Sequence, residues 1–477
     1  MKRIPELLIR TAERFPDTTA YISGSESITY AELIGKAQNT ADLLIRQGND
    51  PVVIIGGKEC TVVVSIIACI LSGRTYVPVD RFTPESRIEQ IISASGASLV
   101  LSEDGFLSDS IGCLSLSDLG QYRDHAPHPT KDSPVYMIFT SGTTGEPKGV
   151  PISHENLESF VTWLSAQQPL SEYRGINVLN QASFSFDLSA ADLYYSLTNG
   201  HTLTALGNSG SPDLAEVYDT FRTRHVNLAV MTPTFMKLCL TEPDFREENC
   251  PDFRCVYFCG EQLETKTVRK LKSRFPDLII LNAYGPTECT SAVSIVKITE
   301  AMLSGQYLPV GESGNFASDI TVENGEIVIR GKSVFSGYLG SVTGCHFTET
   351  DENGYQINGY RTGDMGKIDG GYLYCLGRLD SQIKYKGYRI EPGDIERNIT
   401  KIEGIADCAV IPLRSADGIV KNLAAYIVTD GEHDAGNIQA ELGKLLPGYM
   451  IPKIIKFIDA LPVNKNGKTD RKALEKL

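Results

Sequence analysis

Residues 136–149 read YMIFTSGTTGEPKG, an apolar run that gives way to four hydroxyl residues (Thr140, Ser141, Thr143, Thr144), three glycines and Lys148. Glycines let a backbone approach a ligand closely, successive N–H groups in such a loop form a nest for anions, and a lysine adds a mobile positive charge. The chemistry this composition serves is a clamp on phosphate oxygens. The spacing from Gly142 to Lys148 is superficially that of a Walker loop, but Pro147 intrudes and Gly149 stands where a Ser or Thr would hold magnesium. A P-loop hydrolase is therefore set aside. A plain surface turn is the duller alternative, and such turns rarely need this composition directly after a strand.

Length and charge bound what surrounds that loop. A chain of 477 residues is too long for one ordinary core and calls for more than one domain. The amino terminus, MKRIPELLIRTAERFPD, reads as an amphipathic helix rather than a signal peptide, and no apolar run is long enough to span a bilayer, so membrane insertion is not expected. Eleven scattered cysteines without a CxxC pair point to reduced thiols and a cytoplasmic setting. A net charge of −14 argues against nucleic acid as a partner. From Asp380 onward 15 basic residues face 14 acidic ones, so the first 379 residues carry −15 and the tail is a different kind of surface.

The elements that must position the loop follow from periodicity. Continuous apolar runs at PVVIIGG (51–57), ASLVLSE (97–103), VNLAVMT (226–232) and LIILNAYG (278–285) alternate with amphipathic helical patterns, as in parallel sheets covered on both faces. From about residue 308 alternating strands with Asn-Gly and Gly-Gly turns read as a small antiparallel β region. Residues 380–477 combine an opening strand (QIKYKGYRI), a helix starting at PGDIE, strands at CAVIPL and NLAAYIV, and a last helix. The expected fold is α/β with an α+β tail: a large domain over 1–379, built of parallel doubly covered sheets plus a small β subdomain, and a small, mobile C-terminal α+β domain over 380–477.

Several motifs then stand in one order: TYAEL (29–33), LSGRTYVPVD (71–80), the loop above, FSFDLSAAD (184–192), NAYGPTE (282–288), GEIVIRG and GYLG (325–340), YRTGD (360–364), GRLDSQIKYKGYRIEPGDIE (377–396) and NKNGKTDRKAL (464–474). This ordered set resembles the adenylate-forming enzymes, in particular the amino-acid adenylation domains of nonribosomal peptide synthesis. Within them it is similar to the D-alanine–carrier protein ligases, through LNQASFSFDLS (179–189), FCGE (258–261) and VGESG (310–314). The resemblance implies ATP-dependent activation of a carboxylate as an acyl-AMP, then transfer to the phosphopantetheine thiol of a carrier protein. Thr140, Ser141, Gly142, Thr143, Thr144 and Lys148 would hold the β- and γ-phosphates. Asn282, Ala283, Tyr284 and Gly285 would line the nucleotide, with Tyr284 against adenine. Thr287 would meet the α-phosphate, and Glu288 would hold Mg²⁺, which prefers carboxylate and phosphate oxygens. Asp364 suits the two ribose hydroxyls, Arg378 would reach the nucleotide, and Lys468 is the cation beside the α-phosphate and the substrate carboxylate. Taken singly, Asp364 also reads as a turn cap, Tyr284 as core and Lys468 as a solvated terminal lysine. Asp380 would be a hinge that presents first Lys468 and then the face bearing Gly387.

An α-amino acid brings an ammonium whose burial is costly without a carboxylate partner. Asp187 would be that partner, though alone it also reads as a helix N-cap. The remaining walls would be Leu188, Ala191, Val230, Tyr257, Cys259, Ala283, Ser291 and Ala292. Most are small, whereas Tyr257 either fills the space or offers its phenol to a polar substrate. A small amino acid is expected, D-alanine first, by way of Cys259 in FCGE. The alternatives are a freestanding adenylation enzyme for another small or nonproteinogenic amino acid and an acyl-CoA ligase, the latter disfavoured by Asp187. A carrier in trans is expected to meet the near-neutral tail, at Lys384, Lys386, Arg389, Lys453 and Lys456, more readily than the acidic front.

Overall fold

A computed structural model describes residues 4–103, 111–115, 133–141, 147–207, 213–340, 345–415, 420–429, 431, 433–462 and 469–475. It divides into two compact units. The larger comprises Met1–Arg81, Ser95–Ile138 and Val150–Leu379, and the smaller comprises Phe82–Ala94, Phe139–Gly149 and Asp380–Leu477.

In the larger unit an eight-stranded sheet runs in the order Ser294–Lys297, Ile279–Tyr284, Cys255–Phe258, Leu228–Met231, Asn177–Asn180, Thr202–Ala205, Thr19–Ser23, Glu26–Thr29. Its six inner strands pair in parallel, and the two edge strands are antiparallel. The continuous apolar runs follow from cover on both faces, because alternate residues feed two cores. Leu228, Val230, Cys255, Tyr257 and Leu281 enter one, with the helices Ile4–Arg14, Tyr30–Arg46 and Ser189–Asn199. Ala229, Met231, Val256, Phe258 and Ile280 enter the other, with Leu214–Thr223, Pro233–Cys239 and Thr265–Arg274. The strands Val52–Gly56 and Leu99–Ser102 lie side by side in a second, six-stranded sheet. A third sheet is antiparallel throughout its pairs. Two of its turns, at Asn324–Gly325 and Gly370–Gly371, hold both central residues at positive φ, the primed geometry that matches strand twist.

In the smaller unit the strands Ile405–Arg414, Val420–Thr429 and Ile454–Phe457 form a sheet. One face packs on the helices Pro392–Ile399 and Ala435–Gly443, and the other, bearing Ala409, Ile411, Ala424 and Tyr426, packs on Leu474. The expected single opening strand is instead a hairpin, Ile383–Tyr385 with Tyr388–Ile390. Lys386 and Gly387 at its turn have φ of 54° and 85°, so the chain reverses where the sequence reads as continuous. Arg87 reaches Asp394 at 3.3 Å, with side chains only 7% and 0% exposed, and so ties the Phe82–Ala94 segment to the tail helix. Breaking such a buried pair by removing one partner costs about 3–5 kcal/mol. Among the described residues no helix is long and apolar enough to cross a membrane, and the eleven cysteines are free thiols.

His201, between the helix Ser189–Asn199 and the next strand, has an enclosed imidazole whose Nδ1 accepts from the Ile176 N–H at 3.4 Å. Burial, helped by the nearby Arg174 charge, pulls its pKa from 6.5 to about 4. The folded ring stays neutral where the unfolded ring takes a proton, so stability falls as pH drops from 6.5 towards 4, by up to about 3 kcal/mol. Urea unfolding at pH 7 and pH 4.5 measures this. His201→Gln is expected to flatten that pH dependence, and an unchanged slope counts against it.

Candidate active site

In open parallel sheets ligands bind beyond the carboxyl ends of the strands, and in the eight-stranded sheet Asp187, Cys259, Thr287 and Glu288 follow such ends. The strand Ile279–Tyr284 ends in Gly285, Pro286 and a short 3₁₀ turn, Thr287–Cys289. Thr290 and Ser291 then adopt φ of 61° and 69°, and the Ala292 N–H closes a γ-turn on the Thr290 carbonyl at 2.8 Å. Positive φ at two successive non-glycine residues is strained, and surrounding contacts must hold it. The Thr290 hydroxyl donates to the Ser333 carbonyl at 2.8 Å, and Gly285 lies against the turn so closely that a Cβ there would meet Ala292 Cα at 2.5 Å. The glycine of YGPTE is therefore required by a backbone crossing.

That turn buries Thr287 and Glu288. The Glu288 carboxylate accepts a short hydrogen bond from the Tyr338 hydroxyl, which also lies 3.2 Å from the Tyr360 hydroxyl. The Asn282 amide donates to the Pro309 carbonyl at 2.7 Å. In YRTGD each residue has a separate task. Arg361 meets Glu323 and Glu326, the Gly363 N–H meets Glu326 at 2.9 Å, and the Thr362 hydroxyl accepts from the Asp364 N–H at 3.0 Å. Asp364 is 1% exposed. One of its oxygens accepts from the Tyr284 hydroxyl at 2.7 Å and the other meets the Arg378 guanidinium at 3.0 Å. Burial and the Asp364 charge together push the Tyr284 phenol well above its ordinary pKa, so it stays a donor.

Asp187 lies between Asn180 and the helix Ser189–Asn199, whose cap position is Leu188 without a capping side chain. Leu188, Ala191, Val230, Tyr257, Cys259, Ala283 and Ala292 share one core cluster with Tyr284. The Cys259 thiol points at the Ser291 carbonyl, 3.8 Å away. The hydroxyls of Tyr257 and Ser291 are buried with no hydrogen-bond partner.

A buried polar group that the motifs did not flag supports this loop. Lys58 Nζ donates to the carbonyls of Asn180, Gln181 and Leu206 at 2.9, 2.7 and 3.1 Å. The Asn180 amide in turn holds Asp192, and the Ser183 hydroxyl donates to Asp80 at 2.9 Å. Burial pushes the Lys58 pKa down and that of Asp192 up, while each charge opposes the shift in the other. Hydrogen bonds from a charged donor contribute about 1.5–3 kcal/mol each, so three carbonyls go far to offset the desolvation of the ammonium. The signal available in sequence was a lysine directly after an apolar strand, in VVIIGGK.

Thr140 ends the strand Pro134–Thr140 and Lys148 begins the strand Lys148–Ser153. Within the smaller unit the Ser141 hydroxyl donates to the Arg389 carbonyl at 2.8 Å and accepts from the Glu391 N–H at 2.9 Å. Asp380 is exposed and accepts from the Gln382 N–H at 3.1 Å. Gly142, Thr143, Thr144 and Lys468 lie outside the described residues. On either side of Lys468 the Asp470 N–H meets the Pro462 carbonyl at 2.7 Å, and Arg471 pairs with Glu396 at 2.7 Å.

The AMP-binding enzyme family matches residues 8–339, and its C-terminal domain matches residues 394–468. The chain belongs to this family of AMP-binding enzymes. It is 38% identical to a D-alanine–D-alanyl carrier protein ligase of Listeria welshimeri, over 97% of this chain and 96% of that one. A ligase of the same name from Bacillus licheniformis is 36% identical over 99% of both. In fold it is similar to the Vibrio cholerae adenylation domain AlmE, solved with glycyl-adenosine-5′-phosphate, at a TM-score of 0.84 and 22% identity over 99% of this chain and 97% of that one.

Gly285→Ala is expected to lower stability by about 1–3 kcal/mol, because backbone cannot yield as a flexible side chain would. Gly35→Ala, in the helix Tyr30–Arg46 with nothing within 4 Å of the new methyl, is expected to raise it by about 0.4–1 kcal/mol. Denaturant midpoints compare the two, and a Gly285→Ala protein as stable as the parent would refute the crossing constraint.

Proposed function

We propose that this chain uses ATP to activate D-alanine as the aminoacyl-adenylate and passes it to the phosphopantetheine thiol of a carrier protein. One observation carries the reading on the substrate side: Asp187 is buried, and its charge reaches Tyr257, which shares one core cluster with mostly small residues. The relatives named for that activity, similar over nearly the whole chain, support it. Asp187 accepts the substrate ammonium, and Leu188, Ala191, Val230, Tyr257, Cys259, Ala283, Ser291 and Ala292 enclose the side chain. Asp364, held by Arg378 and Tyr284, accepts the ribose hydroxyls. Thr140, Gly142, Thr143, Thr144 and Lys148 donate to the β- and γ-phosphates, Ser141 joins them once its hydroxyl leaves the Arg389 carbonyl, and Thr287 donates to the α-phosphate.

A substrate carboxylate oxygen attacks the α-phosphorus, the bond to the bridging oxygen breaks, and pyrophosphate leaves. Lys468 offsets the negative charge gathered between the two anions. Glu288, a single buried carboxylate fixed by Tyr338, fits Mg²⁺, which would neutralise phosphate charge and draw its other ligands from phosphate oxygens and water. Rotation about Asp380 then brings the Gly387 face forward. The carrier thiolate attacks the acyl carbon and AMP leaves. A basic face on the smaller unit suits an acidic carrier: Lys386 and Lys453 are exposed, and the Lys453 charge adds to burial in lowering the pKa of Lys386. Arg389 is half-buried and contributes less.

Amino-acid-dependent ATP–pyrophosphate exchange tests the first half, and thioester formation on a phosphopantetheinylated carrier tests the second. D-alanine is expected to support both. Lys386→Glu combined with Lys453→Glu is expected to slow transfer about tenfold, less so in high salt, and to spare exchange. Absence of exchange with D-alanine overturns the substrate, and unchanged transfer overturns the docking face.

A further inference from the structure

Two buried hydroxyls near Asp187, those of Tyr136 and Tyr257, have no hydrogen-bond partner, in residues each 1% exposed, and neither has that of Ser291, 2% exposed, whose carbonyl meets the Cys259 thiol. Buried hydroxyls are ordinarily paired, so orphans near a buried carboxylate mark a place that a ligand or water can complete. The Asp187 charge adds to burial in pushing both phenols up, so the carboxylate lies within electrostatic reach of both.

Their depth assigns the one that meets the side chain of an amino acid. Tyr257 pairs in register with Val230 and Leu281, one residue short of Asn282, where the nucleotide-side motif begins. Cys259 follows two residues later on the same face, about 7 Å nearer the carboxyl ends of the strands. A substrate whose carboxylate reacts beyond those ends, beside Thr287 and Glu288, points its side chain down past Cys259 towards the Tyr257 phenol. A methyl there leaves the phenol unpaired. A hydroxymethyl pairs with it.

Resting on the reading of the site as an amino-acid pocket, we propose that Tyr257 makes serine, a small β-hydroxy amino acid, a second substrate of this pocket beside alanine. The phenol and the serine hydroxyl exchange one hydrogen bond, and the ring shortens the pocket so that larger polar side chains do not fit. Replacing Tyr257 by Phe keeps the ring and deletes a hydroxyl that bonds nothing in the protein, so the fold is retained, which thermal unfolding verifies.

The test is ATP–pyrophosphate exchange with D- and L-alanine and D- and L-serine, on the parent protein and Tyr257→Phe. Serine of the same hand as the active alanine is expected to support exchange, and Tyr257→Phe is expected to lower the serine-to-alanine ratio of kcat/KM by about ten- to a hundredfold. Exchange with alanine but with neither serine overturns the inference, as does a ratio that Tyr257→Phe leaves unchanged. Exchange with none of the four overturns the amino-acid reading itself, and the inference falls with it.

Discussion

A carboxylate taken out of water costs several kcal/mol unless charge or hydrogen bonds replace the solvent, and this site is organised around four that are almost wholly enclosed. Asp187, Asp192, Glu288 and Asp364 are 7%, 0%, 0% and 1% exposed. Asp364 is compensated by Arg378 and Tyr284, Glu288 by Tyr338, and Asp192 by the Asn180 amide with the Lys58 charge nearby. In each case the partner comes from a different element, so folding fixes the position of the acid. For Asp187 the reading above gives the role of counter-charge to the ammonium of a substrate. In that role the carboxylate would favour amino acids over carboxylic acids that lack the amine.

The same logic explains the scaffold. Parallel strands bring chain segments far apart in sequence to one edge, and the loops beyond that edge carry Asp187, Cys259 and Glu288. Two supports keep those loops stiff. Lys58 holds the carbonyls after the strand Asn177–Asn180, and the close crossing of Gly285 against Ala292 fixes the strained turn that bears Ser291. Strain at a binding site is tolerable where its neighbours over-determine it, as the Thr290–Ser333 bond does here.

Much of this was legible in the sequence where one physical rule dominates. Strands buried on both faces announce themselves as unbroken Val/Ile/Leu runs, and Asn-Gly or Gly-Gly pairs mark primed turns because few residues adopt positive φ cheaply. The ordered motifs singled out Tyr284, Asp364 and Arg378, which the structure joins by hydrogen bonds. Legibility ends where long-range packing decides. Lys386 at positive φ carries no local signature, so the tail hairpin read as one strand. Lys58 follows an apolar strand and two glycines, but it becomes a structural cation only once carbonyls from residues 180, 181 and 206 converge on it. The pairing of Arg87 with Asp394 joins residues 307 positions apart, and nothing near either one signals the other.

The most direct measurement sets D-alanine against propionate, the same carbon skeleton without the amine, in ATP–pyrophosphate exchange. If Asp187 holds the ammonium, propionate falls at least about a hundredfold behind in kcat/KM, and Asp187→Asn narrows that gap by weakening alanine alone. Propionate turning over as well as D-alanine, or a gap that survives Asp187→Asn intact, would contradict the account.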